Sequence, residues 1–198
     1  MNAVNTKKRT GRTVIVLLIA LLLLGLLWIT LRGPIKRMYY PLAYQDIISA
    51  ASAEFGVPKD LLCGVIWCES RFRPEARSSA GACGLMQMTP ATFEEMLWRL
   101  DLPEDTDIFA PEQNIRCGAF YLRRLYDLYD ENWNTALAAY NAGMGNVSNW
   151  LSDPRYSADG KTLQSIPFSE TAAYVGNVQG AKDVYRDLYP DLYPDEFK

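Results

Sequence analysis

The feature that most constrains this chain is residues 14–31 (VIVLLIALLLLGLLWITL), a run of 18 residues that contains no charge. A run of this length and apolarity can span the hydrocarbon core of a bilayer as a helix, so it predicts a transmembrane helix. Basic residues flank it on both sides, with a slight excess before it that favours a cytoplasmic N-terminus: Lys7, Lys8, Arg9 and Arg12, then Arg32, Lys36 and Arg37. A cleaved signal peptide is the alternative, but no small-x-small cleavage pattern follows and the run is long for such a segment.

The rest of the sequence divides around this run. Residues 1–13 are a short polar tail, expected in the cytoplasm, and residues 32–44 are a basic linker interrupted by proline. Residues 45–186 are enough for one globular domain with a sizeable core, expected outside the cytoplasm. Residues 187–198 are a C-terminal tail in which Asp-Leu-Tyr-Pro occurs twice.

The charge of the domain excludes one class of partner. After Arg37 the chain has 13 Lys and Arg (20 minus the 7 above) against all 23 Asp and Glu, a net charge of −10. An acidic domain is a poor binder of nucleic acid. It is also repelled by an anionic membrane surface, so the apolar run has to supply any membrane attachment.

Apolar residues in the domain recur at helical spacing. Ile47, Ile48, Ala51 and Phe55 trace one face of a first helix, which Gly56 ends. A second helix opens near Asp60, and further helices are predicted at residues 90–100, 112–128, 134–141, 147–151 and 170–185. No strand of useful length is indicated, and at most a small hairpin is expected near Gly84. The predicted fold class is mainly α.

The cysteines allow two interpretations. All four follow the apolar run, and an even number in an exported domain permits two disulfides: Cys63, Cys68, Cys83 and Cys117. Cys63 and Cys68 point in different directions on one predicted helix, so pairing of each with Cys83 or Cys117 is favoured. The alternative is that they are small buried apolar residues. A zinc site is not expected, because the chain has no His and no paired C-x2-4-C spacing.

Glu69 is the strongest candidate for chemistry. It follows Leu62, Val65 and Ile66 at positions i+7, i+4 and i+3, on the helix face that should be buried. Burial raises a carboxyl pKa, which lets the acid hold a proton at neutral pH and donate it to a leaving group. The competing interpretation is a partnered core acid or a residue at a helix end.

Other reaction classes are removed by elimination. Without His the Ser-His-Asp and Cys-His mechanisms are absent, and no phosphate-binding glycine loop occurs. Cleavage of a glycosidic bond is the main reaction class that carboxylates perform alone, and no cofactor is expected.

Four segments resemble a known family. They are ESRFRPEARSSAGACGLMQMTPATF, PEQNIRCGAFYL, ALAAYNAGMGNV and IPFSETAAYVGNV. Taken in order over about residues 45–186, they resemble the soluble lytic transglycosylase (SLT) domain. The resemblance implies a lysozyme-like α-helical fold related to goose-type lysozyme. It also implies a substrate, the glycan strands of peptidoglycan, cut between N-acetylmuramic acid and N-acetylglucosamine with a 1,6-anhydro product.

The resemblance also implies roles for individual residues. Glu69 would be the catalytic acid and then base. Residues expected in or beside the cleft are Ser70, Met86, Gln87, Tyr140, Glu170 and Tyr174, with Tyr140 holding Glu69 in place. Asn114 and Asn141 are expected to brace the loops that frame the cleft. For Ser70 a plain helix-end serine stays open, as do a helix cap for Glu170 and a core tyrosine for Tyr140 or Tyr174.

Departures from the family pattern and rival functions remain. Arg73 stands where Asn is common and Met144 where Pro is common, and the four cysteines are additions. The rival functions are a hydrolysing lysozyme, with a further acid such as Asp101, Asp105 or Asp107, and a glycan-binding scaffold without catalysis. Proteins of the cell wall, division, secretion or sporulation are the partner classes such a protein would meet, and the sequence does not choose among them.

Overall fold

A computed structural model describes the backbone of residues 2–190 and the side chains of residues 17–190. The chain forms two compact units, Met1–Pro41 and Leu42–Lys198. The predicted C-terminal tail lies largely outside the described residues, since only residues 187–190 of it are described.

The first unit is one helix, α1 (Asn2–Tyr39). Its segment Leu17–Tyr39 contains an 18-residue stretch with a mean hydropathy of 2.1 that is not buried, so its length and composition suit a helix that crosses a membrane; a signal sequence near an N-terminus has the same properties. The helix continues past the apolar run and through Pro34, where an interrupted linker was expected. A proline within a helix removes one backbone N–H donor and can kink the helix, and here the helix continues beyond it.

The regular structure of the second unit consists of helices joined by loops. Within residues 42–190 the structure has seven helices: α2 (Gln45–Phe55), α3 (Lys59–Ser70), α4 (Pro90–Arg99), α5 (Pro111–Leu128), α6 (Trp133–Ala142), α7 (Met144–Leu151) and α8 (Ser169–Leu188). These described residues hold no strand, only isolated bridges from Cys83 to Arg77 and to Met88 at the predicted hairpin. The prediction of a mainly α fold is confirmed.

Local sequence explains where these helices begin and end. Gly56 closes α2 in the left-handed conformation with φ 66°, which glycine adopts without steric cost. Thr89 and Asn132 cap α4 and α6 by accepting hydrogen bonds from the backbone N–H groups of Thr92 and Thr135. The final helix runs three residues beyond the expected end at Tyr185, because Tyr185 itself is fully buried and holds the last turns against the domain.

The core forms where α3 packs along α8, with α6 between α8 and α5 and with α2 against α5. Nearly the whole of α3 is buried, from Asp60 to Trp67. A helix buried on all sides is positioned by its neighbours instead of by solvent, which fixes the position of its C-terminal end.

Gly64 makes the closest contact between α3 and α8. A Cβ atom at this position would lie 2.8 Å from the carbonyl oxygen of Val178 and 3.1 Å from the backbone nitrogen of Lys182. Both neighbours are backbone atoms that cannot rotate away. The two helices therefore depend on a residue without a side chain to reach this separation.

An ion pair joins the first turn of α3 to the last turn of α8. Asp60 is 3% exposed, and its Oδ2 accepts hydrogen bonds from Nε of Arg186, at 2.9 Å, and from Nη2. Its Oδ1 accepts the N–H of Leu61. A carboxylate in the first turn also interacts favourably with the helix dipole, so the buried charge is compensated on both oxygens.

Replacement of Gly64 by alanine should destabilise the domain. The added methyl group has to push α3 and α8 apart, and overpacking of this kind costs about 1–3 kcal/mol. Gly180→Ala on α8 is the matched control, because a Cβ there meets nothing within 4 Å. It should be stabilising by about 0.5–1 kcal/mol through helix propensity. Urea unfolding of both variants checks the prediction, and equal changes of the same sign would contradict it.

Candidate active site

Glu69 lies at the C-terminal end of α3, in the last full turn of the helix. The helix ends at Ser70, and Arg71 takes a left-handed conformation with φ 55° and ψ 40° that turns the chain away. Glu69 is partly buried among protein groups. Burial raises the pKa of its carboxyl from 4.5 to about 7, and a hydrogen-bond contribution from Tyr174 lowers it only in part. This carboxyl is therefore protonated in a large fraction of molecules at neutral pH.

Tyr174 on α8 is the polar neighbour of that carboxyl. Its hydroxyl oxygen is buried and lacks a hydrogen-bond partner of ordinary geometry among the described residues. Yet the hydroxyl influences the pKa of Glu69 as a donor would, and the pKa of Tyr174 is raised by burial and by the charge of Glu69. Together these observations fit a hydroxyl close to the carboxyl, which a small movement would bring into bonding geometry.

Tyr140 has a different partner from the one expected. Its hydroxyl donates to the carbonyl of Met86 at 2.7 Å and lies 3.4 Å from the sulfur of Met88. Burial raises the pKa of Tyr140, with a further rise from the charge of Glu69. The tyrosine is thus near the acid, but its hydroxyl fastens α6 to the loop that contains Met86, and direct holding of Glu69 stays a prediction.

Asn114 on α5 organises that loop. It is fully buried, its Oδ1 accepts the N–H of Met86 at 2.8 Å, and its Nδ2 donates to the carbonyls of Ile108 and Cys83. Gly84 lies against it with φ 80°, and a Cβ at Gly84 would stand 2.2 Å from the Asn114 side chain. Asn114 and Gly84 therefore fix the path of the loop together.

Met86 and Gln87 follow this turn. Met86 is fully buried, and its side chain packs against Gly118, so in this structure it supports the loop from behind and offers no exposed surface. Gln87 has φ 48° and is half-buried, and its amide nitrogen donates to the carbonyls of Ala76 and Gly84. That leaves its amide oxygen as the acceptor that can face a ligand.

Ser70 is buried, and its hydroxyl donates back to the carbonyl of Ile66 one turn earlier in α3. This is the helix-end serine that the sequence left open. A contact between Ser70 and a ligand stays a prediction.

An open groove runs beside Glu69. One hollow of about 350 Å³ lies between the end of α3, the end of α6 and one face of α8; its walls are Trp67, Cys68, Arg71, Asn141, Glu170, Ala173, Tyr174 and Asn177. A second hollow of about 550 Å³ shares Asn141 and Glu170 and continues along residues 167–171. We call the two hollows together the groove. Glu69 adjoins it through Cys68 and Tyr174.

Two residues of the expected site lie on the walls of the groove. Asn141 is exposed on the wall of the groove, so the structure gives it a place for contact with a ligand where a bracing role was expected. Glu170 is also exposed and borders both hollows, one turn before Tyr174 on α8.

The expected disulfides are wrong. None of the four cysteines forms a disulfide, and Cys63, Cys83 and Cys117 are buried. Cys117 packs in a cluster with Phe93, Met96 and Leu97 and Cys83 donates to the carbonyl of Gly81, so these thiols occupy apolar or local surroundings as the alternative interpretation held. Burial raises the pKa of Cys68 and Cys117 to about 12, which keeps both protonated and poorly reactive.

The sequence did not single out two aromatic contacts at the groove. The guanidinium of Arg71 lies 3.2 Å from the centre of the Trp67 ring, and Phe168 packs edge-on against Trp150 at the far end. The spacing of Trp67 and Arg71 at i and i+4 could have suggested the first pair. Nothing local in the sequence indicates the second, because Trp150 and Phe168 lie in different elements.

An all-helical domain with a proton-holding glutamate beside an open groove has the arrangement of lysozyme-like proteins. Comparison with known proteins agrees. The transglycosylase SLT domain family matches residues 46–163. The soluble lytic murein transglycosylase of Escherichia coli strain K12 is 34% identical over 151 residues, which cover 74% of this chain and 23% of that protein.

Solved structures show the same similarity. A lytic transglycosylase from Pseudomonas aeruginosa, solved as an inactive glutamate-to-glutamine mutant, has a TM-score of 0.67 and 32% identity over 75% of this chain and 24% of its own. The 70 kDa soluble lytic transglycosylase from Escherichia coli has a TM-score of 0.68 and 30% identity over 81% of this chain and 27% of its own. The chain belongs to the transglycosylase SLT domain family. It spans about a quarter of the length of these relatives.

The carboxyl of Glu69 should lower the stability of the folded protein at neutral and alkaline pH. Its pKa is 4.5 in an unfolded chain and about 7 in the fold, so the folded state binds more protons between these values. The free energy of unfolding therefore falls as pH rises from about 4.5 to 7, by up to about 3 kcal/mol.

Glu69→Gln removes this titration and should raise the free energy of unfolding by about 1–3 kcal/mol at pH 8 and change it little at pH 4. Denaturant unfolding of both proteins at the two pH values measures the difference, in which all other titrating groups cancel. An effect of equal size at both pH values would contradict the shifted pKa.

Proposed function

We propose that this protein is a lytic transglycosylase that cleaves peptidoglycan glycan strands between N-acetylmuramic acid and N-acetylglucosamine and leaves a 1,6-anhydro end. The observation that carries the proposal is the carboxyl of Glu69, with a pKa of about 7, beside an open groove. Family membership supports it, because the relatives are named as lytic transglycosylases.

In this reaction Glu69 acts twice. Its proton passes to the glycosidic oxygen as the bond to C1 of the muramoyl residue breaks, and the freed 4-hydroxyl leaves with the departing sugar. The resulting carboxylate then takes the proton of the muramoyl 6-hydroxyl, whose oxygen bonds to C1. Water is not consumed, and Glu69 ends protonated for the next cycle. One titrating group with a pKa near the working pH is suited to both steps.

Neighbouring groups have supporting roles in this proposal. Tyr174 is positioned to donate to the carboxylate when it forms, which stabilises the charged intermediate state of Glu69. The amide oxygen of Gln87 and the exposed side chains of Asn141 and Glu170 offer hydrogen-bonding groups to sugar hydroxyl and acetamido groups. Ser70 and Met86 hold the surrounding backbone in place.

The product identifies the reaction. Purified peptidoglycan digested with the full chain in detergent should give muropeptides about 18 mass units lighter than reducing muropeptides, because intramolecular attack replaces water. Mass spectrometry measures this directly. Reducing ends would instead indicate the hydrolysing lysozyme and call for a second carboxylate, and intact glycan would favour the binding scaffold.

Glu69→Gln should reduce turnover by a factor of about 10³ or more, because the amide cannot donate or accept the transferred proton. The matched control is Glu94→Gln, an exposed glutamate on α4, which should retain activity. Full turnover by Glu69→Gln would contradict the assignment.

In the wild type kcat/KM should fall about tenfold per pH unit above pH 7, as Glu69 loses the proton it must donate.

The proposal includes attachment to the bacterial cell membrane by an uncleaved α1, with the N-terminus in the cytoplasm and the domain on the wall side. It rests on the apolar segment Leu17–Tyr39 and on the basic residues around residues 14–31. An acidic domain gains nothing from anionic lipid headgroups, so the helix would be the source of membrane affinity. The N-terminal tail is then residues 1–13 and the linker is residues 32–44. The catalytic domain is residues 45–186, and the C-terminal tail is residues 187–198.

Two arginines in the apolar segment should release the protein from membranes. Leu22→Arg with Leu23→Arg places two charges at the centre of residues 14–31, at a cost of about 2.5–3.5 kcal/mol each. The wild type should stay in the membrane pellet at alkaline pH with the intact mass of the full chain, and the double variant should not. Leu128→Arg, at an exposed position of the second unit, is the control. A shortened mature chain would show a cleaved signal instead.

A further inference from the structure

Arg71 is a charged residue of the groove that the proposed reaction does not use. It is exposed, it lines the hollow of about 350 Å³, and it is two residues from Glu69. None of the ion pairs among the described residues includes it. Its positive charge is therefore available to a ligand that enters the groove.

Trp67 holds this guanidinium in place. The carbon at the centre of the guanidinium lies 3.2 Å from the centroid of the Trp67 ring, close enough for a cation–π contact. The indole is 8% exposed and is fixed in the body of α3, so it is a rigid support. A guanidinium packed on a ring keeps its N–H donors free at its edges, where they match the two oxygens of a carboxylate.

Electrostatics makes this position unusual in the domain. After residue 37 the chain carries ten more acidic than basic residues, so most of its surface repels anions. Arg71 is the cation among the groove residues, and Glu170 is the anion that borders both hollows. Arg71 also acts on its surroundings, since its charge opposes the rise that burial causes in the pKa of Cys68.

We infer that Arg71, stacked on Trp67, is a carboxylate-binding subsite that recognises the peptide stem carried by the muramoyl residue beside the scissile bond. This inference rests on the proposed function, because it assigns a specificity to the same groove. In an intact strand the lactyl carboxyl of each muramoyl residue is held in the amide bond to its stem, so the carboxylates of the strand are those of the peptide stems. A fixed guanidinium near Glu69 therefore distinguishes strands whose stems carry carboxylates from strands whose carboxyls are blocked.

The consequence is a preference that depends on a charge. Strands with free stem carboxylates form charge-assisted hydrogen bonds with Arg71 that strands with amidated carboxyls cannot form. Interactions of this class change affinity by about tenfold or more. Arg71 is not among the groups that shift the pKa of Glu69, so its loss should leave the pH dependence of cleavage unchanged.

The test compares three substrates with the full chain in detergent: stem-bearing strands, the same strands with stem carboxyls converted to amides, and strands freed of stems by an amidase whose exposed lactyl carboxyls are then also converted to amides. The wild type should show a kcat/KM about tenfold higher on the first than on the other two. Arg71→Gln, which keeps the length of the side chain and removes the charge, should lose this preference. Arg124→Ala, which removes an arginine that lies over Phe120, controls for net charge and should keep it.

Binding separates this inference from the proposed function. Calorimetry in a Glu69→Gln background measures the same preference without cleavage, with and without Arg71→Gln. If the protein with Glu69 intact cleaves none of the substrates but binding still depends on Arg71, the proposed function is overturned and the subsite is retained. Cleavage with equal kcat/KM on all three substrates, or equal losses on all three in Arg71→Gln, would overturn the subsite and retain the function.

Discussion

The close contact between α3 and α8 is the constraint on which the rest of the candidate site depends. Glu69 comes from the end of α3 and Tyr174 from α8, so the distance between their side chains is set by how closely the two helices approach. Gly64 permits that approach one turn and a half before the acid, and the Asp60 carboxylate joins the opposite ends. The geometry of the titrating group is therefore a property of helix packing, and the local sequence of α3 alone could not create it.

The loop that contains Met86 and Gln87 depends on hydrogen bonds from other elements. One buried amide, Asn114, satisfies three backbone groups of the segments around Ile108 and Gly84. Tyr140 adds a bond from α6 to the carbonyl of Met86 in the same loop. Such a loop has few ways to relax, because each of these buried groups would lose a partner if it moved. The backbone of Gln87 belongs to this fixed loop, and a contact between Gln87 and a ligand stays a prediction.

Sequence periodicity anticipated much of this fold and less of the site. The helices α2 to α8 were expected within a few residues of their bounds, because glycine, proline and capping residues mark their ends. The motif pattern also led to Glu69 and to the family. Three features could not be predicted, since each depends on which elements meet in three dimensions. They are the partner of the Tyr140 hydroxyl, the burial of Met86 and the exposure of Asn141. The cysteine count favoured disulfides, whereas the structure contains none among the four cysteines.

The absence of a disulfide among the four cysteines also bears on what holds the domain together. A fold held by helix packing, the Asp60 ion pair and the bonds of Asn114 contains no covalent cross-link between its parts. A reducing agent therefore has no bond to break in this structure. Any loss of stability on mutation has to come from packing, hydrogen bonds or charge.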